Sequence, residues 1–129
     1  MWIWFALAPV AYYLPLFLHE LSHLIVMKAV GGRITSFKPY WHRDERGRFW
    51  FGRVTCMWPA RVRPEGYKYS HIAPLVKAYW MFGLWLILGL TVWRPLLMFA
   101  FTELVDSAWW FIRMGKPGCD GYKWLHRND

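Results

Sequence analysis

The sequence predicts an all-α polytopic membrane protein, with three transmembrane helices and a β-hairpin-like interfacial segment between the first and second. Three observations carry this. At 129 residues the chain is long enough for one domain and too short for two ordinary ones, so residues 1–129 are read as a single membrane domain. Its composition is 57% hydrophobic and 21% aromatic with eleven Trp, more apolar surface than a soluble domain of this size can bury. The apolar residues also gather into three runs near the roughly twenty residues that a hydrocarbon core demands.

The first run covers residues 2–30, with Pro9 and Pro15 expected to bend its early part and Gly31-Gly32 to end it. The chain begins apolar at Met1 with no basic stretch and no small-residue cleavage pattern, so this run reads as a retained span and not as a signal peptide. The second run, "IAPLVKAYWMFGLWLILGLTVW", covers residues 72–93, and the third, "PLLMFAFTELVDSAWWFI", covers residues 95–112. Little more than Arg94-Pro95 joins them, which predicts a tight antiparallel pair.

Charge sets the expected orientation. The formal net charge is +8, and nine Lys/Arg lie in the 31–71 connection: Arg33, Lys38, Arg43, Arg46, Arg48, Arg53, Arg61, Arg63 and Lys68. Arg113, Lys116, Lys123 and Arg127 follow in the 113–129 tail, against Arg94 alone on the other side. By the positive-inside rule the N-terminus is expected outside, with the long basic loop and the C-terminus cytoplasmic. This pattern favours a lipid bilayer as the partner of the basic and aromatic residues, and argues against nucleic acid. Cys56 and Cys119 match no paired metal spacing, and both are assigned to the side where thiols stay reduced, so no disulfide is expected.

Within the connection, "GRITSFKPYWH" and "GRFWFGRVTCMW" favour β structure on either side of "RDER", which predicts a hairpin with a polar turn lying against the headgroup region. "PARVRPEGYKYS", rich in Pro and Gly, reads as irregular, and "GKPGCDGYKWLHRND" as a turn-rich tail.

Chemistry concentrates in "LPLFLHELSHLIVMKAVGG". His19 and His23 stand four residues apart, on one face of a helix, with Glu20 beside them. This is H-E-x-x-H, the spacing in which two imidazoles bind Zn²⁺ and the glutamate is the general base. Either histidine alone would ordinarily be a packing residue, and Glu20 alone a partner for Lys77. Three ionisable groups in a transmembrane run cost several kcal/mol unless paired or bound to an ion, so the cluster marks a site.

A catalytic zinc site takes a third protein ligand. His19 and His23 lie roughly 13 and 7 Å from the boundary at Lys28, and Asp106 lies about 10 Å from the same boundary counted back from Arg113. Depth therefore prefers Asp106, with Glu103 one turn away; the alternative third ligand is Asp120, which requires the tail to fold back into the membrane. Asp106 would otherwise pair with Lys77. His71 and Lys77 are candidates for supporting the ligands, whereas His42 and His126, in polar surroundings, and Ser22, a back-bonded hydroxyl, are given no role.

With "HELSH" on an apolar helix, a β-like segment after it, "HIAPLV" at the next span and an aspartate beyond, the chain resembles the site-2 protease family of intramembrane zinc metalloproteases. The resemblance covers residues 1 to about 121, and "HELSH" is its specific part. It implies a minimal three-helix core with the motif on its first helix and an aspartate ligand on its third. "ELVDSA" supplies that aspartate at the right depth and "GCDGYK" supplies an Asp-Gly pair, so both positions stay open. It further implies a Zn²⁺ cofactor, Glu20 as catalytic base, and hydrolysis of a peptide bond in a membrane-embedded or membrane-proximal substrate. Because a helical peptide bond must be unwound to be cut, the segment from Arg33 to Trp58 is expected either to present substrate as an added strand or to anchor at the interface. The competing expectation is a non-proteolytic metal-binding or partner-binding membrane protein on the same scaffold. Three short spans shield a polar site poorly, which favours a homo-oligomer or larger membrane complex.

Overall fold

The computed structural model describes residues 1–117, 119, 120 and 123. Gly121, His126 and Arg127 lie outside the described residues. The order of elements is α1 (Trp2–Ala29), β1 (Arg33–Lys38), β2 (His42–Arg43), β3 (Phe49–Trp50), β4 (Arg53–Met57), α2 (Arg63–Thr91), a 3-10 turn (Arg94–Leu96) and α3 (Leu97–Ile112).

Helix α1 runs unbroken through Pro9 and Pro15. Gly31 ends it at a φ of 91°, where the Gly32 amide donates to the Met27 carbonyl at 2.8 Å and the Gly31 amide to Lys28 at 3.1 Å. This is the two-bond C-cap that glycine permits.

Helix α2 starts at Arg63, well before the apolar run that begins at Ile72. The segment read as irregular is thus its first two turns. Pro64 is compatible with a helix start, because a first-turn N–H has no intrahelical acceptor to lose. Gly66 is needed here for space: a Cβ would run into the indole ring of Trp58.

Helices α2 and α3 form the tight antiparallel pair that their short connection predicts. At Gly89 a Cβ would stand 2.5 Å from Leu97 Cδ2, so the close crossing depends on the missing side chain.

Three helical stretches are long and apolar enough to cross a membrane: Trp2–Ala29, Gly66–Thr91 and Arg94–Ile112. The packing is inverted relative to a soluble protein. Trp80, Phe101, Ile87 and Ile112 lie open on the outside, whereas Glu20, His23, Ser70, His71 and Glu103 are buried. Small residues, Ala11, Ala73, Ala78 and Ala100, let the helices approach around this polar interior. Such an arrangement is consistent with an integral membrane protein.

The hairpin departs from the position expected of it. β1 and β4 pair antiparallel, with Arg33 opposite Met57, Lys38 opposite Arg53, and an irregularity between Ile34 and Ser36; β2 and β3 extend the arm, with His42 opposite Trp50. The arm does not lie across the end of the bundle. It runs back along α1: Phe37 packs on Phe17, the Tyr13 hydroxyl donates to the Pro39 carbonyl at 3.0 Å, and Trp41 packs edge-on against Tyr12. From Ala29 to Tyr12 is about 25 Å at helical rise. Lys38, Arg43, Arg46, Arg48 and Arg53 travel with the arm, so the basic residues of this connection do not all gather at one end of the bundle. Cys56 and Cys119 are free thiols.

Candidate metal centre

His19 and His23 project from one face of α1 with ring centroids 5.2 Å apart. The Nδ1 atom of each points outward to an acceptor: that of His19 lies 3.1 and 3.2 Å from the two carboxylate oxygens of Asp106 on α3, and that of His23 lies 2.5 Å from the Ser70 carbonyl on α2. With both Nδ1–H groups donating, each ring keeps its lone pair on Nε2.

Both Nε2 atoms face Asp120. Its Oδ2 lies 3.4 Å from His19 Nε2 and 3.2 Å from His23 Nε2, and its Oδ1 accepts from His71 Nδ1 at 2.8 Å. One ligand atom from each of His19, His23 and Asp120 falls within 4.8 Å of the others, a grouping that can hold a metal ion. The tail thus folds back to the imidazoles, and the Lys123 amide donates to the Cys119 carbonyl, next to Asp120, at 3.0 Å.

The donor set fits a divalent cation. Two imidazole lone pairs and one carboxylate oxygen aimed at a common point repel one another unless positive charge lies among them, and two imidazoles with one carboxylate is a familiar zinc set. Charge balance points the same way. Glu20, Glu103, Asp106 and Asp120 bring four carboxylates into this interior, and Lys77 is the ammonium among them. His71 supports Asp120 from α2, packs on Tyr67 at 4.5 Å, and is itself fixed by the Trp110 indole donating to its carbonyl.

Asp106 and Glu103 lie on the far side of His19. Lys77 donates to Glu103 Oε2 at 2.7 Å, to Asp106 Oδ2 at 3.1 Å and to the Pro15 carbonyl at 3.4 Å. The pairing of Asp106 with Lys77 and its contact with His19 therefore coexist. Ser22 back-bonds to the His19 carbonyl at 2.6 Å, and His42 Nδ1 stays on the hairpin, bonded to Tyr40.

Glu20 is buried and enters no hydrogen bond or ion pair among the described residues. What covers it is the hairpin: a Cβ on Gly52 would collide with Glu20 Cγ and lie 2.7 Å from its Cδ and Oε1. Sequence reasoning missed two partners of the motif, the Ser70 carbonyl and Gly52. Neither has a signal, since any residue type offers a carbonyl, and the importance of Gly52 lies in which atom it meets. Comparison with protein-family models, with curated proteins and with solved structures returned no match to this chain.

Proposed function

We propose that the protein is an intramembrane zinc metallopeptidase, similar in mechanism to the site-2 protease family. One observation carries this: two Nε2 atoms and a carboxylate oxygen converge between the helices, with a buried, unpaired glutamate one residue from the first imidazole. In this reading His19, His23 and Asp120 are the metal ligands. Asp106 and the Ser70 carbonyl fix the ring orientation of His19 and His23, as outer partners of metal-bound imidazoles do. Zn²⁺ held there supplies Lewis acidity, polarising a carbonyl and bringing water towards neutral pKa.

The residues of the chain do the rest. Glu20 takes the proton of the attacking water on its carboxylate and delivers it to the leaving amine as the peptide C–N bond breaks. His71 holds Asp120, and the α2–α3 pair keeps bulk water from these groups. The segment from Arg33 to Trp58 presents substrate: a two-stranded hairpin leaves open edges that an extended peptide can extend, and at Gly52 it passes directly over Glu20. In the same reading the N-terminus is outside and the tail cytoplasmic, resting on Arg61, Arg63, Lys68 and the basic residues after α3.

The Gly52 contact also favours a second reading, a non-proteolytic partner-binding protein in which the hairpin closes the site permanently. Glu20→Gln separates the two. For a peptidase this variant retains zinc and loses cleavage of a membrane-embedded reporter; activity equal to the parent's refutes the catalytic assignment.

A further inference from the structure

The hairpin carries a second constellation that the metal centre does not use. A basin of about 570 Å³ opens on it, and its walls hold the side chains of Lys38, Arg43, Arg46, Arg48 and Arg53. Against these five cations stand Asp44 and Glu45. Asp44 is already committed: it accepts from the Arg48 guanidinium at 2.9 Å, the Trp50 indole at 3.1 Å and the amides of Arg46 and Arg48. Lys38, Arg43, Arg46 and Arg53 enter no ion pair among the described residues. The basin is therefore left with uncompensated positive charge.

Its location makes that charge costly. On either side of Lys38, Phe37 packs on Phe17 and the Pro39 carbonyl accepts from the Tyr13 hydroxyl, in the middle of the first apolar helix. A cation at the depth of Lys38 calls for a counter-charge. The same hairpin reaches the metal centre: Gly52 covers Glu20, and the next residue, Arg53, lines the basin.

We propose that the basin receives the acidic residues of a peptide, so that the segment delivered to Glu20 is one bearing Asp or Glu beside its extended stretch. The inference rests on the peptidase reading and names its substrate class. Carboxylates supply the missing counter-charge, and planar arginine heads bind them in pairs. A phospholipid headgroup fits less well at Lys38, because its plane lies at the ends of the helices while the residues on either side of Lys38 meet Phe17 and Tyr13. A peptide that enters to be cut must pass this depth.

The test reads binding, so it does not depend on turnover. Full-length Glu20→Gln protein is placed in nanodiscs of phosphatidylcholine. Two fluorescein-labelled peptides of Leu, Ala and Gly are then titrated by anisotropy, one carrying three Asp and the other three Asn. The Asp peptide is expected to bind at least about tenfold more tightly, with the preference shrinking as salt is raised. Arg43→Gln/Arg46→Gln should bring the two peptides within about twofold. Arg43→Glu/Arg46→Glu should prefer a peptide carrying three Lys, a reversal that a misfolded protein cannot give. Equal affinity for the Asp and Asn peptides overturns the proposal, as does a preference that survives both substitutions. Loss of the preference when phosphatidylglycerol replaces part of the phosphatidylcholine overturns it in favour of a headgroup site. A protein that selects the acidic peptide while its Glu20 form cleaves nothing refutes the peptidase reading alone.

Discussion

Gly52 lies so close to Glu20 that a single added carbon would overlap the glutamate side chain. Hairpin and glutamate are thus in contact through the one residue type that leaves room for both. Gly52→Ala must push either the loop or the carboxylate aside. If Glu20 is the general base, a displacement near 1 Å costs up to about a hundredfold in rate. Turnover of a membrane-embedded reporter should fall by about ten- to a hundredfold in Gly52→Ala while zinc content, measured by mass spectrometry, stays at the parent level. Unchanged turnover would show that the loop lifts away before catalysis.

The two aspartates near His19 should separate in their effect on metal. Asp120 meets both imidazoles on Nε2, the side that faces the common point, whereas Asp106 meets His19 on Nδ1 and can act only through it. Asp120→Ala is expected to abolish stoichiometric zinc. Asp106→Ala should retain it with affinity weakened by about ten- to a hundredfold, the usual effect of removing an outer partner. A competitive chelator titration of the two variants measures this ranking, and the opposite order would return the third ligand to α3.

Much of this site was legible in the sequence, and the reasons are local. His19, Glu20 and His23 are read from helical spacing, which fixes the common face of the two histidines, with Glu20 beside it, before any tertiary contact forms. The apolar runs give the three helices for the same reason. Depth counting brought Asp106 to the level of His19, where it does lie, but counting along a helix axis carries no information about which ring nitrogen is met. The position of Asp120 depends on a turn after Pro117, beyond the last periodic segment. The path of the hairpin along α1 depends on aromatic contacts at Tyr12, Tyr13 and Phe17, residues that periodicity marks only as apolar. Arg63 to Ser70 was misjudged because Pro and Gly break helices in the interior and not in the first turn.

The tip of the hairpin should respond to acid. Burial pushes the Asp44 carboxyl up, but hydrogen bonds from the Trp50 indole and from the amide and guanidinium of Arg48 outweigh it, so Asp44 titrates below the usual carboxylate range. A carboxyl whose folded value is depressed stabilises the fold fully above its unfolded value, about 4, and loses that contribution as pH falls through the folded value. The amides of Arg46 and Arg48 should therefore keep their protection above about pH 4 and lose it progressively as pH falls from there towards the folded value. Hydrogen exchange at these two amides measures the effect. In Asp44→Asn they should exchange faster at neutral pH, with the acid-dependent step gone.

Lys77 holds Glu103 and Asp106 at once, and Glu103 is the largest fully enclosed side chain among the described residues. Replacing Lys77 by Met keeps the length of the stem and removes the charge, leaving two carboxylates facing each other with no cation between them. Removing one partner of a buried ion pair costs about 3–5 kcal/mol, because the remaining charge stays desolvated. A marked drop in the melting temperature of Lys77→Met in detergent is expected, and Glu103→Gln added to it should restore at least half of the loss, since the amide needs no counter-ion. Zinc affinity separates structure from positioning. Asp106 Oδ2 is shared between Lys77 and the His19 ring, so in the restored double variant the melting temperature recovers while the His19 orientation does not. That variant should still bind zinc about tenfold more weakly than the parent, the effect expected when an outer partner of a ligand is loosened. Recovery of both quantities together would make Lys77 a charge-balancing residue with no bearing on the metal.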